Sequence, residues 1–583
     1  MAKRGVRLVI GLILLAVLVS VAAVAIMAIA IGRAPSVQGN SLLVLRLDDD
    51  LHEVPSDGVV QQLLEGNKPS GLPAVLEHLR KAKADSRVKA VLIVPTGLQA
   101  PLWAKVQEVH DAIVDFRKSG KQAIAFLEYV GEKEYFIATA CDRVVLMPGA
   151  SLDLNGLATY EVFLRGTLDK IGLYPDILHI GDYKTAYNSL TEKGYTPAHR
   201  EATESMTRDL YDQLVRGIAD GRKKSEDEVR ALIDEGPFTP DEALRVGLVD
   251  DLAYADQIDA LAFGGKTLTR LETEDYANVT PRSLGLNRGP RIAVIYATGV
   301  IASGRGGYDP FSGNVLGADT IIKHIRAARK DRSVRAIVVR IDSPGGSATA
   351  SDAIWRELVL ARDEKKDRPL VVSMSDLAAS GGYWIAMASP YIVAQPGTLT
   401  GSIGVITGKF VTGGVYEKLG ANIDGVSFGK HANIASPARP FSDTERAKIE
   451  AMMQDTYDEF VEKAAQARNM PPEKLDAIAQ GRVWTGRQAK AIGLVDELGG
   501  LSQAIAAAKQ RAKIAADADV EIVVFPPRRS VYELLSQGFR SEESLLKVLA
   551  LPADERRVLG TLAAPLLFRT GEPLALMPSL LIR

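Results

Sequence analysis

Two stretches far apart in the chain carry nearly the same message. "LEHLRKAKADSRVKAVLIV" from Leu76 aligns with "IKHIRAARKDRSVRAIVVR" from Ile322, placing His78 on His324, Asp85 on Asp331 and Val88 on Val334. The same offset, about 246 residues, returns where "FTPDEALRVGLVDDL" from Phe238 matches "WTGRQAKAIGLVDEL" from Trp484. Solenoid units recur every 20–50 residues or so, so a period this long means a duplicated domain. That constrains the fold strongly: whatever the first copy builds, the second must build too. A chain of 583 residues is also too long for one core.

Each copy opens on a strand pattern, "SLLVLRL" from Ser41 and "RIAVIYA" from Arg291. An amphipathic helix follows, then "AVLIV" or "AIVVRI", then "QAIAFL" or "PLVVSM". Strands alternating with helices specify α/β units on a largely parallel sheet. The expected boundaries are 41–277 for the first copy and 291–510 for the second. Between them "NVTPRSLGLNRGP" (278–290) reads as a linker, rich in proline and glycine. Residues 511–583 form an extension of uncertain structure.

Residues 8–32, "LVIGLILLAVLVSVAAVAIMAIAIG", hold no charge. About 20 apolar residues suffice to span a bilayer, and a signal-peptide core is only about 7–15 long. An uncleaved transmembrane anchor is therefore expected. Lys3, Arg4 and Arg7 precede it and only Arg33 closely follows. The positive-inside rule then puts residues 1–7 in the cytoplasm and the rest across the membrane. In a bacterium this means an inner-membrane protein with a periplasmic catalytic domain.

Lys plus Arg number 70 and Asp plus Glu 72, a net charge of −2, which gives no electrostatic ground for nucleic-acid binding. The single cysteine, Cys141 in "ATACDRVVL", excludes an intramolecular disulfide and a cysteine-built metal site. It reads as a small buried apolar residue. No metal or cofactor is expected.

The copies keep their framework but differ at two loops. Where the first has "PTGLQA" from Pro95, the second has "DSPGGS", Asp342 to Ser347. Paired glycines after a strand let backbone N–H groups face a ligand, although a plain tight turn also fits. Ser380 in "AASGGYWIA" opens a helix, and aligning Tyr135 with Tyr383 puts Glu132 or a neighbour opposite it. A nucleophile there would have backbone N–H groups beside it; an ordinary N-cap serine is the alternative.

A nucleophile needs a base. His78 and His324 occupy equivalent framework places, and His52, His110, His179 and His199 carry no motif. "GVSFG" (425–429), followed by His431, matches the G-x-S-x-G elbow, but the proline-broken "KHANIASPARP" starts no helix. A lysine serves if uncharged. Its ordinary pKa is about 10.4, and keeping it neutral near pH 7 costs about 4.6 kcal/mol, which an apolar site must impose. Lys184 in "GDYKTAYNS" and Lys430 in "GKHANIASPARP" stand at equivalent places, and spacing does not choose between them.

"DSPGGS", "AASGGYWIA", "PGTLTGSIGV", "GDYKTAYNS" and "VWTGRQAKAIGLVDELGG" together resemble the signal peptide peptidase A (protease IV) family in its long, membrane-anchored, two-repeat form. The resemblance runs from the anchor to about residue 510. It implies an α/β fold of two tandem Clp protease/crotonase-like repeats after an N-terminal transmembrane helix. It also implies a serine endopeptidase that uses a serine–lysine dyad on remnant signal peptides, assembled as a homotetramer. Position by position, Ser380 matches the nucleophile and Lys184 the general base. Ser402 matches a serine that orients the lysine, and the N–H groups of Gly381 and Gly345 the oxyanion hole, with Gly346 an alternative. Single-repeat members carry the lysine in a segment like "GxxKDI"; here "GKHANI" has Ala432 at that place, which favours Lys184. The competing classes are a crotonase-like acyl-thioester enzyme and a non-catalytic membrane scaffold.

Overall fold

A computed structural model describes residues 37–47, 51–54, 71–98, 102–263, 268–309, 313–525, 568, 572–578 and 581–582. The expected anchor at 8–32 lies outside the described residues. Among those described, no helix is long and apolar enough to cross a membrane. That finding overturns the expectation of an inner-membrane protein with a periplasmic catalytic domain, because no described element carries it.

The first copy runs β1 (Ser41–Leu47), α1 (Gly71–Ala84), β2 (Val88–Pro95), α2 (Trp103–Arg117), β3 (Gln122–Leu127), α3 (Glu132–Ala138), β4 (Arg143–Leu146), β5 (Thr159–Tyr160), β6 (Tyr174–Ile180), β7 (Asp251–Leu252) and β8 (Thr269–Glu272). Its sheet has the order β7-β4-β3-β2-β1-β8, every pairing parallel. Such a sheet is covered on both faces, so its strands read as nearly continuous apolar runs. In β1 only Arg46 is exposed.

The second copy repeats the plan. It comprises β9 (Arg291–Thr298), β10 (Val300–Ala302), β11 (Gly307–Asp309), β12 (Gly313–Gly317), α4 (Ala318–Lys330), β13 (Val334–Ser343), β14 (Gly345–Ser347), α5 (Ala348–Glu364) and β15 (Leu370–Ala379). There follow α6 (Gly381–Ala386), β16 (Ile392–Ala394), β17 (Leu399–Gly401), β18 (Val405–Val411), β19 (Val483–Thr485), β20 (Glu497–Leu498) and β21 (Glu521–Phe525). The central order is β19-β17-β15-β13-β9-β21. Strand β21 lies parallel to β9 just as β8 lies parallel to β1. The second sheet therefore extends to Phe525, beyond the boundary expected at 510, and β21 covers an edge that would otherwise be open. Equivalent contacts mark the duplication: Tyr135 donates its hydroxyl to Leu248 O at 2.6 Å, and Tyr383 to Leu494 O at 3.1 Å.

A further sheet joins the copies, in the order β11-β12-β10-β14-β22-β18-β6, where β22 is Leu574–Leu576. Strand β6 of the first copy runs antiparallel to β18 of the second, from Ile180 opposite Val405 to Tyr174 opposite Val411. Buried charges pin α2 against the second sheet as well. Arg340 on β13 donates to Glu53 and to Glu108 at 2.6 Å each, and Lys105 lies 2.9 Å from Asp342 and 3.5 Å from Asp376. The relative placement of the copies is thus fixed by backbone pairing and by ion pairs that lose heavily if one partner is removed.

Candidate active site

Strands β15 and β17 pair side by side, with Ala379 opposite Gly401. Ser380 and Ser402 are the next residue on each strand, so neighbouring strand ends deliver both hydroxyls to one place. Ser380 donates its backbone N–H to Gly401 O at 2.7 Å and accepts from Trp384 N at 2.8 Å, the first bond of α6. Its φ is 55° and that of Ser402 is 51°, both in the region non-glycine residues rarely enter. Strain of this kind, of order 1–3 kcal/mol per residue, persists where the surroundings over-determine the backbone. Here α6 is buried along its length, with Trp384 stacked 4.4 Å from Phe460.

Lys184 comes from the other copy. The β6–β18 pairing carries the chain to Gly181, and the Tyr183 N–H donates to Gln480 O at 2.8 Å, turning Lys184 toward the serines. Gly481 makes room for it: a Cβ there would come within 2.5 Å of the Lys184 backbone. The Lys184 Nζ lies 2.6 Å from Ser380 Oγ, 2.8 Å from Ser402 O and 3.1 Å from Ser402 Oγ. Lys184, Ser380 and Ser402 are all 0% exposed.

Burial drives the Lys184 ammonium well below the usual lysine range. Lys105 is the instructive contrast. Burial also pushes it down, but Asp342 and Asp376 outweigh that and hold it above the usual range. One buried lysine has carboxylate partners that favour its charged form; the other, among the described residues, has hydroxyls and a carbonyl within hydrogen-bond reach, and burial there favours the neutral amine. A neutral amine has two N–H donors and one lone pair. The Ser402 carbonyl can only accept, and the Ser402 hydroxyl is placed to take the second N–H. The lone pair is left for the Ser380 hydroxyl at 2.6 Å.

The paired glycines sit beside Ser380. A Cβ on Gly345 would lie 2.7 Å from Gly381 N. The Gly345 N–H, however, donates to Ser343 Oγ at 3.2 Å, and that hydroxyl donates to Gly299 O at 2.7 Å. Successive residues of a strand point their N–H groups to opposite sides, so Gly346 presents the opposite side, toward β22. The two glycines foreseen as alternatives therefore face different neighbours, and only Gly346 turns its donor toward the groove beside Ser380.

Other candidates fall away from this centre. Lys430 and Ser427 are exposed in an irregular loop, where "GVSFG" has neither a preceding strand nor a following helix. Cys141 is buried and free, and burial pushes its thiol up. His78 is buried in the first copy, where burial holds it down at about 3. Among the described residues no group of three or more His, Cys, Asp or Glu could hold a metal ion. Sequence reasoning missed Ser343, Gly481 and β22. Ser343 was legible as a hydroxyl inside "DSPGGS"; the other two act through partners distant in sequence.

The profile of peptidase family S49 matches residues 115–267 and 362–515, one block in each copy. The chloroplastic serine protease SPPA of Arabidopsis thaliana is 37% identical over 492 residues, covering 82% of this chain and 72% of that protein. Protease 4 of Salmonella typhi is 35% identical over 455 residues, covering 76% and 72%. Among solved structures, ClpP1 from Listeria monocytogenes aligns at 16% identity with a TM-score of 0.21, covering 35% of this chain and 91% of that one.

Proposed function

The chain belongs to peptidase family S49 and is a serine protease, and we propose that Ser380 is its nucleophile and Lys184 its general base. The observation that carries this reading is a buried amine, without a carboxylate partner among the described residues, whose Nζ lies 2.6 Å from the Ser380 Oγ.

The Ser380 Oγ attacks a peptide carbonyl while its proton passes to Lys184 Nζ. Ser402 holds the amine through its carbonyl and hydroxyl, so the lone pair cannot swing away. The developing oxyanion lies between the backbone N–H groups of Gly381 and Gly346, with Gly345 forming the close-packed wall. The Lys184 ammonium then gives its proton to the leaving amine, and a water molecule activated by the same amine clears the acyl-enzyme. A substrate enters as an extended strand in the sheet shared by the two copies.

Apolar residues near the dyad, including Leu168, Tyr187, Leu190 and Ile406, favour apolar peptides. Remnant signal peptides, cut within their apolar segments, are the substrates that match this lining. Exposed Leu419, Val426 and Phe428 in the second copy supply an apolar surface that a homotetramer would bury. Light scattering on the purified protein tests that assembly.

Labelling with a fluorophosphonate, alongside hydrolysis of casein, tests the chemistry. Wild type and Lys430→Ala are expected to label and cleave; Ser380→Ala and Lys184→Ala are not. Full activity in Lys184→Ala with loss in Lys430→Ala would reverse the choice of base. An unlabelled, inactive wild type would favour the acyl-thioester or scaffold classes.

A further inference from the structure

Strand β22 lies where a substrate would lie. Residues 574–576 insert between β14 and β18, antiparallel to both, with Gly346 opposite Ala575 and Ile406 opposite Leu574. The flanking bonds fix the register: the Met577 N–H donates to Pro344 O at 3.0 Å and the Ala348 N–H to Pro573 O at 3.2 Å. Hydrogen-bonded pairs alternate along an antiparallel ladder, so Gly346 and Ala575, midway between these, form the next such pair. The N–H of Gly346 thereby meets the Ala575 carbonyl. That oxygen is also close to the second donor: a Cβ built on Gly381 would lie 3.1 Å from it, and one built on Gly345 only 2.0 Å.

Side chains follow the same logic. Leu574 and Leu576 point into the apolar cluster with Leu168, Ala186, Tyr187 and Leu190, while Ala575 points the other way into the second copy's core and is 0% exposed. Only a small residue fits that central position. The segment is held on both sides of it, with Thr407 Oγ1 donating to Glu572 O at 2.7 Å and Leu581–Ile582 pairing antiparallel with β5.

We propose that the Ala575–Leu576 peptide bond is cut in cis by this site, and that the uncut segment excludes other peptides until it leaves. The proposal rests on the dyad reading above. Ser380 Oγ bonds to the Ala575 carbonyl carbon as its proton goes to Lys184. The bond to the Leu576 nitrogen breaks, and that nitrogen takes the proton from Lys184. One water then splits the ester, leaving a carboxylate on Ala575 and restoring the Ser380 hydroxyl. The same register makes small-at-centre, leucine-on-both-sides the preferred substrate pattern.

Intact-mass spectrometry of the purified full chain over a time course tests this, with casein hydrolysis as the parallel readout. Wild type is expected to yield a chain ending at Ala575 and a peptide beginning at Leu576, at a fractional rate unchanged by tenfold dilution. Ser380→Ala stays whole, Ala575→Gly is still cut, and Ala575→Phe is cut at least tenfold more slowly. Ser380-dependent casein hydrolysis without a cut after Ala575 overturns the inference and leaves the dyad reading standing. So does an Ala575→Phe chain cut as fast as wild type, or a rate that falls in proportion to dilution. Absence of Ser380-dependent hydrolysis of both casein and the chain itself defeats the dyad reading as well.

Discussion

Placing a carboxylate beside the base offers a quantitative test of the proton inventory at the site. Ser402 Oγ lies 3.1 Å from Lys184 Nζ, and the residue's φ of 51° is one that Asp and Asn tolerate better than most side chains. Ser402→Asp therefore introduces a negative charge with little backbone cost, and Ser402→Asn is its neutral control. Two unit charges about 4 Å apart interact by about 4 kcal/mol at an effective dielectric constant of about 20. At about 1.36 kcal/mol per tenfold, this is roughly three pH units. The sign follows from the active form. The neutral amine is the base, the carboxylate favours the ammonium, and more alkali is needed to free the lone pair. The acid limb of kcat/KM is expected to move about three pH units upward in Ser402→Asp, with roughly 10³-fold lost at a given pH on that limb and most of it recovered above. Ser402→Asn should lose about tenfold or less, with its limb unmoved. The assay is hydrolysis of a fluorogenic peptide across pH 5–10 or so. Superimposable profiles for the Asp and Asn variants would refute the argument that Lys184 protonation controls the rate.

In the wild type, burial lowers the Lys184 pKa, so activity should level off early. A lysine at its ordinary value would give kcat/KM at pH 9 near 100 times that at pH 7. A ratio that large would count against a desolvated base. Gly345→Ala projects a methyl group within 2.0 Å of the position held by the Ala575 carbonyl, and a loss of about 10²-fold or more in kcat/KM is expected, comparable to removing an oxyanion donor. Activity within tenfold of wild type would show that the acyl carbonyl binds elsewhere. Arg340→Met leaves Glu53 and Glu108 buried without their cation, a change worth roughly 3–5 kcal/mol, and thermal unfolding should shift down by several degrees. An unchanged transition would mean that this network does not hold the copies together.

Much of this was legible before any coordinates. The repeat predicted two α/β units, and equivalent contacts such as Tyr135 with Leu248 and Tyr383 with Leu494 bear that out. Ser380 stood out because the first copy has no hydroxyl there. Lys184 was tied with Lys430 on spacing, and only family resemblance favoured it; burial separates them, since Lys184 is enclosed and Lys430 exposed. Which of Gly345 and Gly346 faces the groove depends on strand register, a property that changes sign with each residue. Strand β21 fell within the extension of uncertain structure, because its partner is Arg291–Ile295, too far back for local pattern to reveal. The same distance hid β22, whose short "LAL" carries no pattern of its own.

The pairing of β6 with β18 has a consequence for synthesis in the cell. On the proposed dyad, a ribosome that has finished the first copy has made the base without its nucleophile, and the hydroxyl emerges only with the second. The proposed dyad is thus incomplete in the nascent polypeptide until the second copy has been made, and a chain truncated after the first copy lacks Ser380. Duplication has become a safety catch.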